Sequence, residues 1–198
     1  MLIWAIIGLF LFVHITFSAG FSFFAPAAIT TEAELEAFYA GSGPAYRPFA
    51  RVGFDEVSFS GLYLYAENED LPTDWIMYGS LGDKWLIFFQ KARDPEAPPE
   101  YMENVGYIIR YPSDENAVQT TWARDTIISD IVNEFGLEEG EVEPIFHKAV
   151  MQADRNGMTV SRITFAASIL LTVFSLVMFF GKGKKARAAE PADGGKPV

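Results

Sequence analysis

Residues 75–91 read WIMYGSLGDKWLIFFQK, and this stretch decides the fold of a chain of 198 residues. Two apolar, aromatic-rich runs at 75–79 and 85–91 flank the segment SLGD. Gly82 within that segment suits the positive φ that a tight turn requires. Runs of this composition on either side of a short glycine turn are typical of paired strands. The stretch therefore predicts an antiparallel β-hairpin.

Further strands are expected on both sides of the hairpin. VSFSGLYLYA at 57–66 alternates valine and aromatic residues with serine and leucine, which is the pattern of a half-buried strand. VGYIIRY at 105–111 is a second β-type run. It follows ARDPEAPPEYMEN at 92–104, whose prolines and acids predict an exposed loop. We therefore expect an antiparallel meander of about four strands.

Two segments with helical features lie outside these strands. TTEAELEAFYAG at 30–41 has Thr30 or Thr31 as a candidate N-cap and Gly41 as a stop. TTWARDTIISDIVNEFG at 120–136 carries apolar side chains at helical spacing and ends in glycine. Both patterns predict an amphipathic helix.

A last soluble helix is expected from about Glu141 to Arg155. Pro144 is tolerated in the first turn of a helix. The expected apolar side of this helix consists of Ile145, Phe146, Ala149, Val150 and Ala153. Strands followed by helices predict an α+β domain at residues 30–160, in which a small antiparallel sheet of about four strands is covered by two or three helices.

Two apolar segments flank this domain and predict transmembrane helices at 1–25 and 161–181. The first 31 residues contain no Asp, Glu, Lys or Arg. Residues 163–181 are uncharged, and a helix of that length spans about 28 Å, close to the ~30 Å hydrocarbon core of a bilayer. The first segment lacks the basic start of a secretory signal peptide and exceeds the length that such a signal needs. An uncleaved anchor is therefore favoured over a cleaved signal.

Basic residues beside the second apolar segment predict its orientation. The tail at 182–198 contains five Lys or Arg residues, four of them between 182 and 187. Basic residues that flank a membrane span are typical of its cytosolic side. We therefore expect a disordered, basic cytosolic tail and a main domain outside the cytosol.

The charge and cysteine content restrict the possible partners. Of 26 acidic residues only Glu190 and Asp193 lie in the tail, and of 15 basic residues five do, which leaves 24 acidic and 10 basic residues elsewhere. So acidic a domain argues against a nucleic-acid partner, whereas the lipid bilayer and a protein partner are expected. Cysteine is absent, which excludes disulfides, thiol catalysis and Cys-ligated metal. No cofactor is expected.

Residues suited to catalysis form no specific motif. The chain has two histidines, too few for a multi-His metal site. His147 is expected on the surface of the last soluble helix, or partly buried there. Asp70 with Asp74, or Glu134 with Glu138, are candidate acid–base pairs of an exported enzyme. Carboxylates are so numerous that either pair carries little information, and the interpretation leans against an enzyme.

His14 lies within the first apolar segment, where an ionisable side chain is a candidate for a functional role. We expect its imidazole to form a polar contact with a hydroxyl group of the second segment. The candidate partners are Thr172 and Ser175, with Ser168 as a further possibility.

The aromatic residues of the predicted sheet suggest an interaction role. Most of them should form core, but aromatic side chains are also enriched in binding hot spots. The candidates for a partner-binding face are Tyr63, Tyr65, Trp75, Tyr78 and Trp85. The leading hypothesis is an accessory or interaction subunit for another membrane protein. The alternatives are an extracytoplasmic ligand-binding sensor, which the short tail does not favour, and an exported carboxylate enzyme.

Overall fold

The computed structural model describes residues 2–43, 46–65, 70–92, 106–112 and 117–188. Two compact units are present, residues 18–159 and the pair of segments 1–17 and 160–198. The helices are α1 (Leu2–Ala19), α2 (Glu32–Ala40), α3 (Ala117–Phe135), α4 (Glu139–Val142) and α5 (Arg155–Ala188), and a 3-10 turn spans Glu143–Ile145. The strands are β1 (Ala27–Ile29), β2 (Ala50–Val52), β3 (Glu56–Tyr65), β4 (Pro72–Leu81), β5 (Lys84–Lys91), β6 (Tyr107–Arg110) and β7 (Phe146–Ala153).

The seven strands form one mixed sheet in the spatial order β1-β2-β6-β7-β5-β4-β3. The strands β3, β4 and β5 are antiparallel neighbours, so this part of the predicted meander is confirmed. However, β7 lies between β5 and β6, parallel to β5 and antiparallel to β6. A second parallel pair joins β1 and β2. The prediction of a small antiparallel sheet of about four strands is therefore wrong.

The hairpin predicted from residues 75–91 is formed by β4 and β5. Leu81 pairs with Lys84, which leaves Gly82 and Asp83 as a two-residue turn. Gly82 has a φ of +61°, a conformation that glycine adopts without the steric penalty of a Cβ atom. The Asp55 carboxylate accepts a hydrogen bond from the Gly82 N–H at 3.0 Å, which fastens the start of β3 to this turn.

The helix expected from Glu141 to Arg155 is replaced by β7. Helical structure ends with the 3-10 turn that contains Pro144, and the chain is extended from Phe146 onward. Successive side chains of β7 face opposite sides of the sheet and are buried on both. A strand buried on both faces is a nearly continuous apolar run, which helical spacing also fits. This ambiguity explains the error.

The two other predicted helices are confirmed. Thr31 caps α2, because its hydroxyl accepts a hydrogen bond from Glu34 N at 3.3 Å while the Glu34 carboxylate accepts one from Thr31 N at 3.1 Å. This reciprocal pair is a capping box. Helix α3 ends before Gly136, whose φ is +64°, and Leu137 N donates to Val132 O at 3.2 Å. That bond is typical of a Schellman C-cap.

Each face of the sheet is covered by one of these helices. The first core cluster includes Leu35 of α2 and residues from strands β1 to β7. The second core cluster packs the opposite face of β4, β5 and β7 against α3, through Ala123, Ile127 and Ile128. Alternate residues of a strand point to opposite faces, so neighbours such as Ile87 and Phe88 belong to different clusters.

Strand β7 passes directly into α5 through Asp154. The Asp154 carboxylate accepts a hydrogen bond from Gly157 N at 2.7 Å and pairs with Arg110. A side-chain oxygen that satisfies an N–H of the first helical turn is a typical N-cap. Helix α5 therefore begins where the sheet ends.

The unit formed by residues 1–17 and 160–198 contains the two apolar helices. By length and composition both are able to cross a membrane, at Leu2–Ala19 and Arg155–Gly181, and most of their residues are exposed. A Cβ atom on Gly8 would lie 2.5 Å from Thr172 Oγ1, and the rings of Phe12 and Phe165 lie 5.2 Å apart. Gly8 lies next to Thr172 and Phe12 lies next to Phe165, so the two helices pack antiparallel.

The described residues leave parts of the sequence analysis untested. The exposed loop expected at 92–104 lies outside them except for Ala92. In the tail, the backbone of α5 continues to Ala188, and residues 189–198 lie outside the described part of the chain.

Candidate functional site

The five aromatic residues proposed as a partner-binding face differ in their exposure. Trp75 is 5% exposed and lies in the first core cluster. Tyr78 and Trp85 pack against the second core cluster, with ring centroids 5.2 Å apart in an edge-on arrangement. Tyr63 is partly buried, whereas Tyr65 is 56% exposed. Among the five, Tyr65 therefore offers most surface to a partner.

Tyr63 and Tyr65 form a continuous row with Phe59 along β3, and we call these three residues the aromatic edge. The ring centroids of Phe59 and Tyr63 lie 5.1 Å apart, and those of Tyr63 and Tyr65 lie 6.3 Å apart. Because β3 is the last strand of the sheet, this row stands at its margin. The sequence indicated Tyr63 and Tyr65 by their alternation, and Phe59 shares that period.

A bulge in β3 determines how the aromatic edge is presented. Phe59 pairs with Met77 and Tyr63 with Trp75, so three residues of β3 stand opposite Ile76. Gly61 lies within this bulge with a φ of +83°. The Ser60 hydroxyl donates to Ile76 O at 2.7 Å and accepts from Leu62 N at 3.2 Å. These bonds satisfy backbone groups that the irregular pairing would otherwise leave without partners.

The surroundings of the aromatic edge are acidic. Asp55 and Glu56 are exposed at the start of β3, and Asp70 is exposed before β4. The pKa of Tyr78 is raised, first by burial of its phenol and then by the charges of Glu56 and Glu134. Tyr78 is therefore a neutral phenol at physiological pH. It packs on the second core cluster, on the sheet face opposite Phe59 and Tyr63, and the field on that face is negative.

His147 is buried in the sheet, and its expected place on a helix is wrong. It lies on β7 and is 3% exposed. Its Nδ1 accepts a hydrogen bond from Ala149 N at 3.1 Å, and its Nε2 lies 3.4 Å from a carboxylate oxygen of Glu36. The ring of Tyr39 meets the imidazole edge-on at 5.2 Å. The sequence does not indicate this cluster, because the cluster joins α2 to β7, a segment whose apolar spacing predicts a helix.

Burial lowers the pKa of His147, and the negative charge of Glu36 opposes that shift without reversing it. Lys84 adds to the lowering. The imidazole is therefore neutral at pH 7, with Nδ1 as acceptor and the Nε2 proton directed toward Glu36. So deeply buried a ring has little access to a substrate, and its contacts describe a cross-link between α2 and β7.

Two of the four carboxylates proposed for catalysis, Asp74 and Glu138, have structural contacts. Asp74 lies opposite Lys91 in the β4–β5 ladder, and its carboxylate accepts a hydrogen bond from Lys91 Nζ at 2.9 Å. Asp70 is exposed. Glu138 takes part in the capping box of α4, while Glu134 is exposed at the end of α3. In the ranges that the structure describes, no group of three or more His, Cys, Asp or Glu residues is able to hold a metal ion.

His14 and the hydroxyl residues of the expected intramembrane contact have different surroundings in the helix pair. His14 is exposed, and its ring stacks on Phe10 with centroids 6.2 Å apart. The Thr172 hydroxyl donates to Ser168 O within α5 at 2.8 Å, and Ser175 is buried. Within the described residues of this unit, His14 makes no hydrogen bond to these hydroxyl groups.

A shallow cavity of about 430 Å³ lies between α2 and the segment that follows α1. Its lining includes Phe21, Phe38 and Phe49 together with Ser22 and Ser42. Both serine hydroxyls donate to backbone carbonyls, and that of Ser22 also accepts from Phe49 N at 2.8 Å. Both serine hydroxyls therefore already have hydrogen-bond partners within the protein, and the lining of the cavity is mainly apolar.

Comparison of the chain with protein families, with curated proteins and with solved structures found no match. The functional argument therefore depends on the geometry described above.

Proposed function

We propose that this chain is a membrane-anchored interaction subunit that binds another membrane protein through the aromatic edge of its sheet. The observation that carries the proposal is the row of Phe59, Tyr63 and Tyr65 on the last strand, with Tyr65 largely exposed. Tyrosine supplies a large contact area at a low cost in conformational entropy and is enriched in binding hot spots.

Packing supports the aromatic edge as a firm platform for a partner. Tyr63 packs against the first core cluster, and its ring lies beside the ring of Tyr65. A side chain that is already ordered loses little rotamer freedom on binding, so more of its contact energy appears as affinity. Tyr65 is therefore the residue whose truncation should weaken the complex most.

The proposed topology has two membrane spans. Residues 30–160 lie outside the cytosol, and both chain ends lie in the cytosol. The basic residues at 182–187 and the antiparallel packing of α1 and α5 support this arrangement, because two antiparallel spans return the chain to its starting side. Anchoring would hold the aromatic edge near partners in the same membrane and raise their effective concentration.

The proposal is tested by recovery of a companion from gently solubilised membranes with the full chain carrying a C-terminal tag. Tyr65→Ala should reduce recovery of the companion about thirty-fold, the loss expected for a hot-spot aromatic worth about 2 kcal/mol. The matched control is Phe135→Ala, since Phe135 is 67% exposed at the end of α3. Both variants should melt at the wild-type temperature, because each side chain is mainly outside the core. Equal recovery with Tyr65→Ala and wild type would refute the proposed role.

A further inference from the structure

The outer edge of β3 has a length and composition that suit pairing with another strand. Among the strands that the structure describes, β3 has a neighbour on one side only. Natural edge strands are commonly short, carry lysine, proline or inward-pointing charges, or contain a bulge, and each of these features hinders pairing with other chains. β3 is ten residues long, has no proline or lysine, and carries Glu56 as its one charged residue.

The bulge limits the part of β3 that is suited to pairing. Residues 56–59 pair with β4 in regular register, and the irregular residues 60–62 follow. A bulge bends a strand and increases its twist, so a straight partner strand fits the regular part best. The Gly82–Asp55 hydrogen bond fixes the beginning of this regular part against the β4–β5 turn.

We propose that the outer edge of β3 at Glu56–Phe59 accepts an extended, basic segment of the partner protein as an additional strand. This inference rests on the proposed function and specifies how the partner binds. In strand addition, main-chain hydrogen bonds supply affinity, and side chains at alternate positions supply specificity. Tyr63 and Tyr65 of the aromatic edge would then contact side chains of the added segment beyond the bulge.

Charge determines the kind of segment that fits. Asp55, Glu56 and Asp83 are exposed around the start of β3, where the β4–β5 turn lies. The nearby Lys84 is occupied, since its ammonium donates to Pro144 O at 2.5 Å and lies 4.0 Å from Glu32. Lysine or arginine at one end of the incoming segment would meet these carboxylates. A second copy of this chain would instead bring two surfaces of the same sign together.

The test uses a fluorescein-labelled synthetic peptide with two lysines followed by alternating valine and threonine, titrated with the full chain in detergent micelles. Fluorescence anisotropy measures the affinity. One control peptide replaces the lysines by glutamates. A second keeps the sequence but carries an N-methyl group on every valine and threonine, which removes the N–H donors along both edges. If the segment pairs with β3, N-methylation should weaken binding at least about tenfold, because hydrogen bonds to the strand are lost.

Variants of the chain locate the site. Glu56→Gln should weaken binding of the lysine peptide about two- to five-fold, as expected for an exposed charge pair. Asp125→Asn removes an exposed carboxylate of α3 and should leave the affinity unchanged. Ser58→Lys, which places a charge within the regular part of β3, should abolish binding, whereas Ala28→Lys on the opposite edge strand should not.

The outcomes separate this inference from the proposed function. Equal binding of the N-methylated peptide would overturn strand addition and indicate electrostatic attraction alone. Equal binding by Ser58→Lys would overturn the placement of the peptide on β3. Failure of the lysine peptide to bind would overturn strand addition as well. If Tyr65→Ala still prevents recovery of a companion in either case, the aromatic edge remains an interaction site and only the strand-addition mode is refuted.

Discussion

Replacement of His147 by alanine should destabilise the domain strongly, because the imidazole is buried within the sheet. The substitution leaves the buried Ala149 N–H without its acceptor, at a cost of about 1–3 kcal/mol. Removal of the buried ring and the cavity that it leaves add about 1–2 kcal/mol to the loss of stability. The total of roughly 3 kcal/mol is a large part of the 5–15 kcal/mol that typically stabilises a domain.

The measurement is urea unfolding of the full chain in detergent, followed by tryptophan fluorescence. With a slope of about 2 kcal/mol per molar urea, the midpoint should fall by about 1.5 M. His147→Asn keeps a side-chain acceptor two residues before Ala149 and should recover about 1–2 kcal/mol of the loss. The control Lys148→Ala changes an exposed neighbour on the same strand and should stay within about 0.5 kcal/mol of wild type. If His147→Ala matches Lys148→Ala, the buried position of the ring is wrong.

Three further predictions concern pH, packing and topology. Burial lowers the pKa of His147 below its usual value of 6.5, so the unfolded chain binds a proton more readily than the folded one. Stability should therefore fall as the pH is lowered through about 6.5, and melting temperatures of His147→Asn should fall less steeply over the same range. Gly79→Ala should cost about 1–3 kcal/mol in urea unfolding, since the new Cβ would lie 2.6 Å from the buried ring of Phe54, and an unchanged midpoint would contradict this close contact. Protease added to intact cells or spheroplasts should digest residues 30–160 and spare a tag after Val198, and loss of the tag with survival of the domain would reverse the proposed topology.

The sequence predicted the elements whose signals are local. Gly82 between two β-type runs predicts the β4–β5 hairpin, and cap residues predict α2. Apolar side chains at helical spacing and a closing glycine predict α3. The strands β1 and β2 have three residues each, too few for a periodic pattern, and their existence depends on pairing with each other and with β6. β7 was missed because burial on both faces removes the alternation that distinguishes a strand.

The candidate site was predictable only in part for the same reason. Alternation along β3 placed Tyr63 and Tyr65 on one face, but nothing local showed that β3 would be the last strand of the sheet. Trp75 has the same composition signal and lies in the core, since β4 has neighbours on both sides. The contact of His147 with Glu36 joins distant parts of the chain and became visible only with the sheet order.

The position of β7 has a consequence for synthesis of the protein on the ribosome. β5 and β6 are synthesised before β7, the strand that lies between them in the sheet. At about 5–20 residues per second, the interval from Lys91 to Phe146 lasts about 3–11 s. During that time β5 presents unpaired backbone groups along one edge, and β6 does the same once it has been made. Such groups attract other nascent chains. The sheet is complete only when β7 has been made, immediately before synthesis of α5 begins. Folding of the domain and membrane insertion of the second apolar helix would therefore take place at about the same time.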